Sequence, residues 1–168
     1  MIRAVTMAAV VAATGAMQLH SADFSAGWAL PQVFMATDCG GRNRSPQLTW
    51  TDPPPGVKSF ALVMHDADAP IAGGFYHWIA YNLPASTREL PSGAELHDDQ
   101  LGNTSLGKPG YYGPCPPAGP AHHYTWTIYA LGVSHIAAGT PLDNEHLQKQ
   151  IEGHVLARAM LEATASRP

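Results

Sequence analysis

Apolar residues fall in short blocks along this chain. Phe60-Ala61-Leu62-Val63-Met64-His65 is a near-continuous apolar run, the pattern of a buried strand. Asp66-Ala67-Asp68-Ala69-Pro70 ends it, because Pro70 cannot donate to a ladder and restricts Ala69. Tyr76 to Leu83 alternates, with His77, Ile79 and Tyr81 on one face and Trp78, Ala80 and Asn82 on the other. Tyr124 to Leu131 is a third strand of the same kind. Gln32–Ala36 and Ser45–Trp50 also read as extended. Residues 85–121 have little periodicity and read as a long loop, which in a compact domain is usually functional. The spacing of Leu147, Ile151, Val155 and Ala159 predicts a helix, with Asp143 or Asn144 as its N-cap.

Gly 16 and Pro 15 in 168 residues fit a mainly β chain with many turns. The length is enough for one domain with its own core. Charged residues are only 13%, and the net charge is −4, which argues against a nucleic-acid partner held by a basic patch.

The N-terminus reads as an export signal, with an ordinary N-terminal helix as the other reading. Arg3 supplies the positive region, and Ala4 to Met17 is an apolar run of small residues. Gln18-Leu19-His20-Ser21-Ala22 is then a polar stretch ending in a small residue. The expected division is a signal peptide over 1–22 and one domain over 23–168. His20 fits the −3 position poorly. An exported chain would be periplasmic or secreted. The apolar run is too short to span a bilayer, and no other stretch reads as a transmembrane segment. Cys39 and Cys115 form no C-x-x-C pair. In an oxidising compartment they would join if the fold brought them together; two separate buried thiols is the other reading.

Candidate chemistry gathers at strand ends. Asp66 and Asp68 would point the same way in an extended chain, His77 opens the next strand, and His122 and Tyr124 share a face. If the strands are neighbours, these groups line one pocket. Imidazolium and phenol groups donate to an anionic oxygen. Carboxylates beside an anion would repel it, so at least one must be paired with a histidine or held by backbone donors. Taken singly, each residue also has an ordinary structural use: Asx turns for the aspartates, core or loop positions for the histidines.

Taken together, three blocks carry a resemblance: FALVMHDADAP (60–70), YHWIAYNLP (76–84) and YGPCPPAGPAHHYTWTIYAL (112–131). With CGGRNRSPQLTW (39–50) and IEGHVLARA (151–159), they resemble the phosphatidylethanolamine-binding protein (PEBP) family, in its bacterial Raf-kinase-inhibitor-like branch. The resemblance covers residues 24–162 in order. It implies a β-sandwich with a large central antiparallel sheet, a smaller second sheet and a C-terminal helix. It also implies an anion pocket at one end of the sheet. Carried over position by position, that pocket takes Asp66, Asp68, His77, Pro114 of the Gly113–Pro117 loop, His122 and Tyr124. Related chains commonly continue with a G-T-Y-x-R-like segment that approaches the pocket; Leu161–Pro168 lacks its tyrosine. His65 replaces a common acidic residue and is expected to face away from Asp66.

The leading expectation is a small-ligand binding protein, its ligand a phosphate ester or phospholipid head group, with no cofactor. Two alternatives stand beside it. One is a protein-interaction module that inhibits a kinase or protease, although an exported protein would not meet a cytosolic kinase of its own cell. The other is a metal-dependent or acid–base enzyme. Two Asp and two His are legitimate metal ligands, but the chain has neither H-E-x-x-H nor G-x-S-x-G. On balance, no catalytic and no metal-binding residue is assigned from the sequence.

Overall fold

A computed structural model describes residues 15–139 and 141–167. Among the described residues, seven strands form two antiparallel sheets. The small sheet runs β1 (Gln18–His20), β2 (Leu48–Thr51), β5 (Glu89–Leu90). The large one has the order β4 (Phe75–Pro84), β3 (Ser59–Asp66), β6 (His122–Leu131), β7 (Val155–Ala165). One α-helix, α1 (Asn144–Ile151), covers the outer face of the large sheet.

The position of β3 explains its composition. It lies between β4 and β6 and is covered on both faces, so nearly every residue is apolar. Phe60, Leu62 and Met64 face the small sheet, where they meet Trp50, Trp78 and Trp126. Ala61 and Val63 face the other way, into the cluster under α1 with Ile79, Tyr81, Leu147 and Ile151. Burying one such large side chain contributes roughly 1.5–3 kcal/mol. The two-sheet sandwich with one helix is thus the fold that the family resemblance implies.

Two expectations about local structure are corrected. Gln32–Ala36 is not a strand. It begins with a 3-10 turn over Gln32–Phe34, closed by Phe34 N–H to Pro31 O and Met35 N–H to Gln32 O. Apolar alternation over five residues is too short a signal to outweigh Pro31, whose fixed φ favours a tight turn. The helix stops at Ile151, and Val155 and Ala159 lie in β7. Gly153 reverses the chain at φ +75°, and from Ala159 onward the buried positions recur every second residue. The N-cap expectation holds for Asp143, whose carboxylate accepts from the His146 N–H at 2.9 Å.

The first fourteen residues of the expected signal peptide lie outside the described residues. The remainder belongs to the folded sandwich. Gln18–His20 pairs with Thr49–Thr51, and Met17 and Leu19 are buried in the main core.

Candidate functional site

The site forms where β3, β4 and β6 end together. The β3–β6 register sets Asp66 opposite Tyr124, with His122 two residues further along the same face. The β3–β4 register sets Asp66 opposite Phe75, and it slips between the pairs His65–Tyr76 and Met64–Trp78. His77 is the extra residue of this bulge, so it joins the cleft rather than the face of Ile79 and Tyr81 that simple alternation predicts. Gly74 makes the return from β3 to β4 possible. It has φ +73°, and a Cβ there would lie 2.4 Å from the Asp66 carbonyl oxygen.

Asp66 is buried and fully engaged. One carboxylate oxygen accepts from the backbone N–H groups of Asp68 and Ala69, at 2.9 and 3.1 Å. The other accepts from His122 Nδ1 at 2.8 Å. The sequence argument required that a carboxylate in an anion site be paired or held by backbone donors. Asp66 is both. His122, anchored through Nδ1, keeps Nε2 for another partner.

His77 is held by a different device. Its Nδ1–H donates to the Tyr112 carbonyl at 2.7 Å, and its ring stacks on Tyr112. Burial pushes its pKa down to about 4, against the raising effect of that hydrogen bond. The ring is therefore neutral at pH 7, and Nε2 is its acceptor. Tyr124 is fully buried, and burial, then the nearby Asp66 charge, pushes its hydroxyl pKa up, so it stays a neutral donor. That hydroxyl has no hydrogen-bond partner among the described residues.

These side chains line a cleft of about 210 Å³. Its far wall is the loop Tyr112–Pro117, represented in the lining by Tyr112, Cys115, Pro116 and Pro117. The wall has no regular secondary structure and is pinned from behind. The Ala36 N–H donates to the Pro114 carbonyl, and the Gly113 N–H donates to Asn43 Oδ1 at 2.7 Å. Tyr111 OH donates to the Phe34 carbonyl at 2.8 Å. Cys39 and Cys115 are joined as a disulfide. Gly113 sits so close to this backing that a Cβ would lie 2.4 Å from the Phe34 carbonyl oxygen.

Four of the expected pocket residues therefore come together: Asp66, His77, His122 and Tyr124. Two do not line the cleft. β3 ends at Asp66, so strand alternation no longer orients Asp68. The Asp68 carboxylate instead accepts from both the backbone N–H and Nδ1 of His123, each at 2.8 Å. The His123 hydrogen bonds hold the Asp68 carboxyl below its usual range, and Asp68 in turn raises His123. Pro114 belongs to the wall but is buried within it and does not line the cleft. His65 faces away, as expected; it contacts the Gly73 carbonyl and stacks on Tyr76.

Sequence reasoning missed Phe75 and Tyr112. Phe75 lies two residues before His77, so strand alternation could have placed it on the same face. No local signal marks the Tyr112 carbonyl as the group that orients His77. Among the described residues, no cluster of three or more His, Cys, Asp or Glu side chains is placed to hold a metal ion.

A sandwich of a large and a small antiparallel sheet, with a largely apolar cleft that holds a few polar groups at the strand ends, defines a class of ligand-binding β domain. The family model "Phosphatidylethanolamine-binding protein" matches residues 20–166, and the chain belongs to that family. It is 38% identical over 158 residues to the UPF0098 protein YbhB of Escherichia coli, covering 89% of this chain and all of that one. A UPF0098 protein of Aquifex aeolicus is 38% identical over 148 residues, covering 85% of this chain and 84% of that one. The crystal structure of Escherichia coli YbcL, described as a member of the mammalian PEBP family, superposes with a TM-score of 0.85. It shares 29% identity, over 92% of this chain and 100% of that one. Family membership supports a small-ligand binding protein.

Proposed function

We propose that the cleft binds the oxyanion of a small phosphate ester, such as a phospholipid head group. The Tyr124 hydroxyl carries this reading. It is a buried donor on a residue that lines the cleft. Asp66 lies near enough to raise its pKa, but no acceptor meets it in hydrogen-bond geometry among the described residues, and a buried polar group without a partner costs roughly 1–3 kcal/mol. A ligand oxygen supplies that partner. His122, held through Nδ1 by Asp66, offers Nε2 as a second polar atom for the ligand. His77 Nε2 is an acceptor and calls for a donor on the ligand. A phosphate monoester monoanion has both kinds of oxygen, acceptors and one P–OH.

The size of the cleft favours a head group over a whole lipid, since pockets for drug-sized ligands are roughly 300–1,000 Å³. Ile71 and Leu106 stand half exposed at the rim and offer an apolar surface to the organic part of the ester. Titration with phosphorylethanolamine and with inorganic phosphate, followed by NMR, tests the reading. Saturable shifts at His77, His122 and Tyr124 are expected. No shift at millimolar ligand overturns it.

The chain is also proposed to be exported, to a periplasm or the exterior. Arg3 and the apolar run behind it support this. So does the Cys39–Cys115 disulfide, which belongs in an oxidising compartment. Fractionation of cells that express the full chain tests it; protein confined to the cytoplasm would be incompatible with export.

A further inference from the structure

Strand β1 limits where an export leader can be removed. Among the described residues, burial begins at Met17: Gly15 and Ala16 are exposed, and from Met17 to His20 the residues alternate buried and exposed. Met17 and Leu19 are 8% and 4% exposed and belong to the core between the sheets. Leu19 lies opposite Trp50, the largest side chain that β2 contributes. Residues 21–23 continue the seam. Ser21 Oγ donates to the Gln47 carbonyl at 2.6 Å, the Ala22 N–H donates to Gln47 Oε1 at 2.7 Å, and Asp23 Oδ2 accepts from the Gln47 N–H at 2.6 Å.

A cut after Ala22 would discard all of β1. The outer edge of β2 would be bare, and β2 would keep only β5, which contributes two residues. Trp50 would lose its cross-strand neighbour Leu19, and the core between the sheets would lose both Met17 and Leu19. The sequence offers a better place. Thr14-Gly15-Ala16 sets small residues three and one positions before Met17, whereas His20 occupies the −3 position for the other cut. Ala4 to Ala13 then forms an apolar stretch of ordinary length for a leader.

We propose that a signal peptidase removes the leader between Ala16 and Met17, so that the mature protein begins at Met17 with β1 whole. This rests on the export reading. Water adds across the Ala16–Met17 peptide bond: Ala16 leaves as a free carboxylate, and the Met17 nitrogen becomes a free ammonium.

The test is to express the full chain in a bacterium and determine the N-terminal sequence and intact mass of the exported protein. The expected first residues are Met17-Gln18-Leu19. Ala16→Tyr, which puts a bulky side chain at −1, is expected to cut the yield of processed protein at least several-fold, and Ala22→Tyr to leave the cleavage position unchanged. Exported protein that begins at Asp23, or at any residue other than Met17, overturns the cut and leaves the export reading standing. Normal processing of Ala16→Tyr also overturns the cut. A chain that keeps Met1 and stays in the cytoplasm overturns both.

Discussion

The Asp66 carboxylate and the His122 ring meet at 2.8 Å, both buried, although 56 residues separate them in the chain. Their strands are neighbours, so the pair closes one end of the large sheet and forms the floor of the cleft at once. Stability and binding are coupled there, and the variants below differ in how far they separate the two.

His122→Ala leaves the Asp66 charge buried without its partner. The expected loss of stability is roughly 3–5 kcal/mol, read by denaturant unfolding at pH 7. A loss below about 1 kcal/mol would show that the pair is more solvated than its geometry indicates. Ligand binding should also fail in this variant, but its failure alone does not separate a damaged site from a damaged fold.

Tyr124→Phe separates them. The hydroxyl has no partner to lose, so stability should stay within about 1 kcal/mol of the parent or rise. Affinity for phosphorylethanolamine should fall roughly 10- to 100-fold, the worth of one hydrogen bond to a charged oxygen. Unchanged affinity would remove Tyr124 from the proposed site.

The His77 ring makes stability depend on pH in a defined window. Its pKa is about 4 in the folded chain, against 6.5 as the ordinary value. The unfolded chain therefore takes up a proton that the folded one resists. The contribution is fully present above pH 6.5 and is lost as pH falls toward 4, to the extent of about 3 kcal/mol. His123, raised by Asp68, acts in the opposite sense, and its contribution is complete below pH 6.5. The lowered carboxyls of Asp68 and Asp143 lose theirs only from about pH 3.8 downward. His77→Asn keeps a donor for the Tyr112 carbonyl and should flatten the profile between pH 6.5 and 4. An unaltered slope would assign the effect to another group.

The disulfide ties the cleft wall to the segment behind it across a sequence separation of 76 residues. Replacing Cys39 and Cys115 together with Ala should cost about 4–5 kcal/mol by the loop-entropy model. It should also weaken ligand binding, because the wall keeps only its hydrogen bonds. Calorimetry on the variant reads both effects. Loss of stability with full affinity would show that the hydrogen bonds from Ala36 and Gly113 are enough to hold the wall.

Much of this was legible in the sequence because it is written in local patterns. The runs that became β3, β4 and β6 carry their own periodicity, and Pro70 and Gly74 mark the turn between two of them. Asp66, His77, His122 and Tyr124 could be grouped from their places at strand ends and from the family resemblance. Asp68 could not be placed, because its orientation depends on where β3 stops and on a hydrogen bond to His123, 55 residues away. The helix was overextended for a related reason. Val155 and Ala159 continue an i, i+4 spacing by coincidence, and pairing with β6 decides their conformation. Tyr112 acts through its carbonyl, which every residue has, so no reading of side chains could single it out.

The two innermost strands of the large sheet, β3 and β6, come from residues 59–66 and 122–131. Their pairing closes a long stretch of chain before any contact repays the lost entropy, and sheets dominated by such pairings fold in milliseconds to seconds. The wall from Tyr112 to Pro117 gains its backing only once residues 34–43 are also in place. The cleft is thus expected to be completed late in folding. On the proposed export route, a chain so slow to close would still be threadable at a translocation channel, and the cleft would be completed only on the far side.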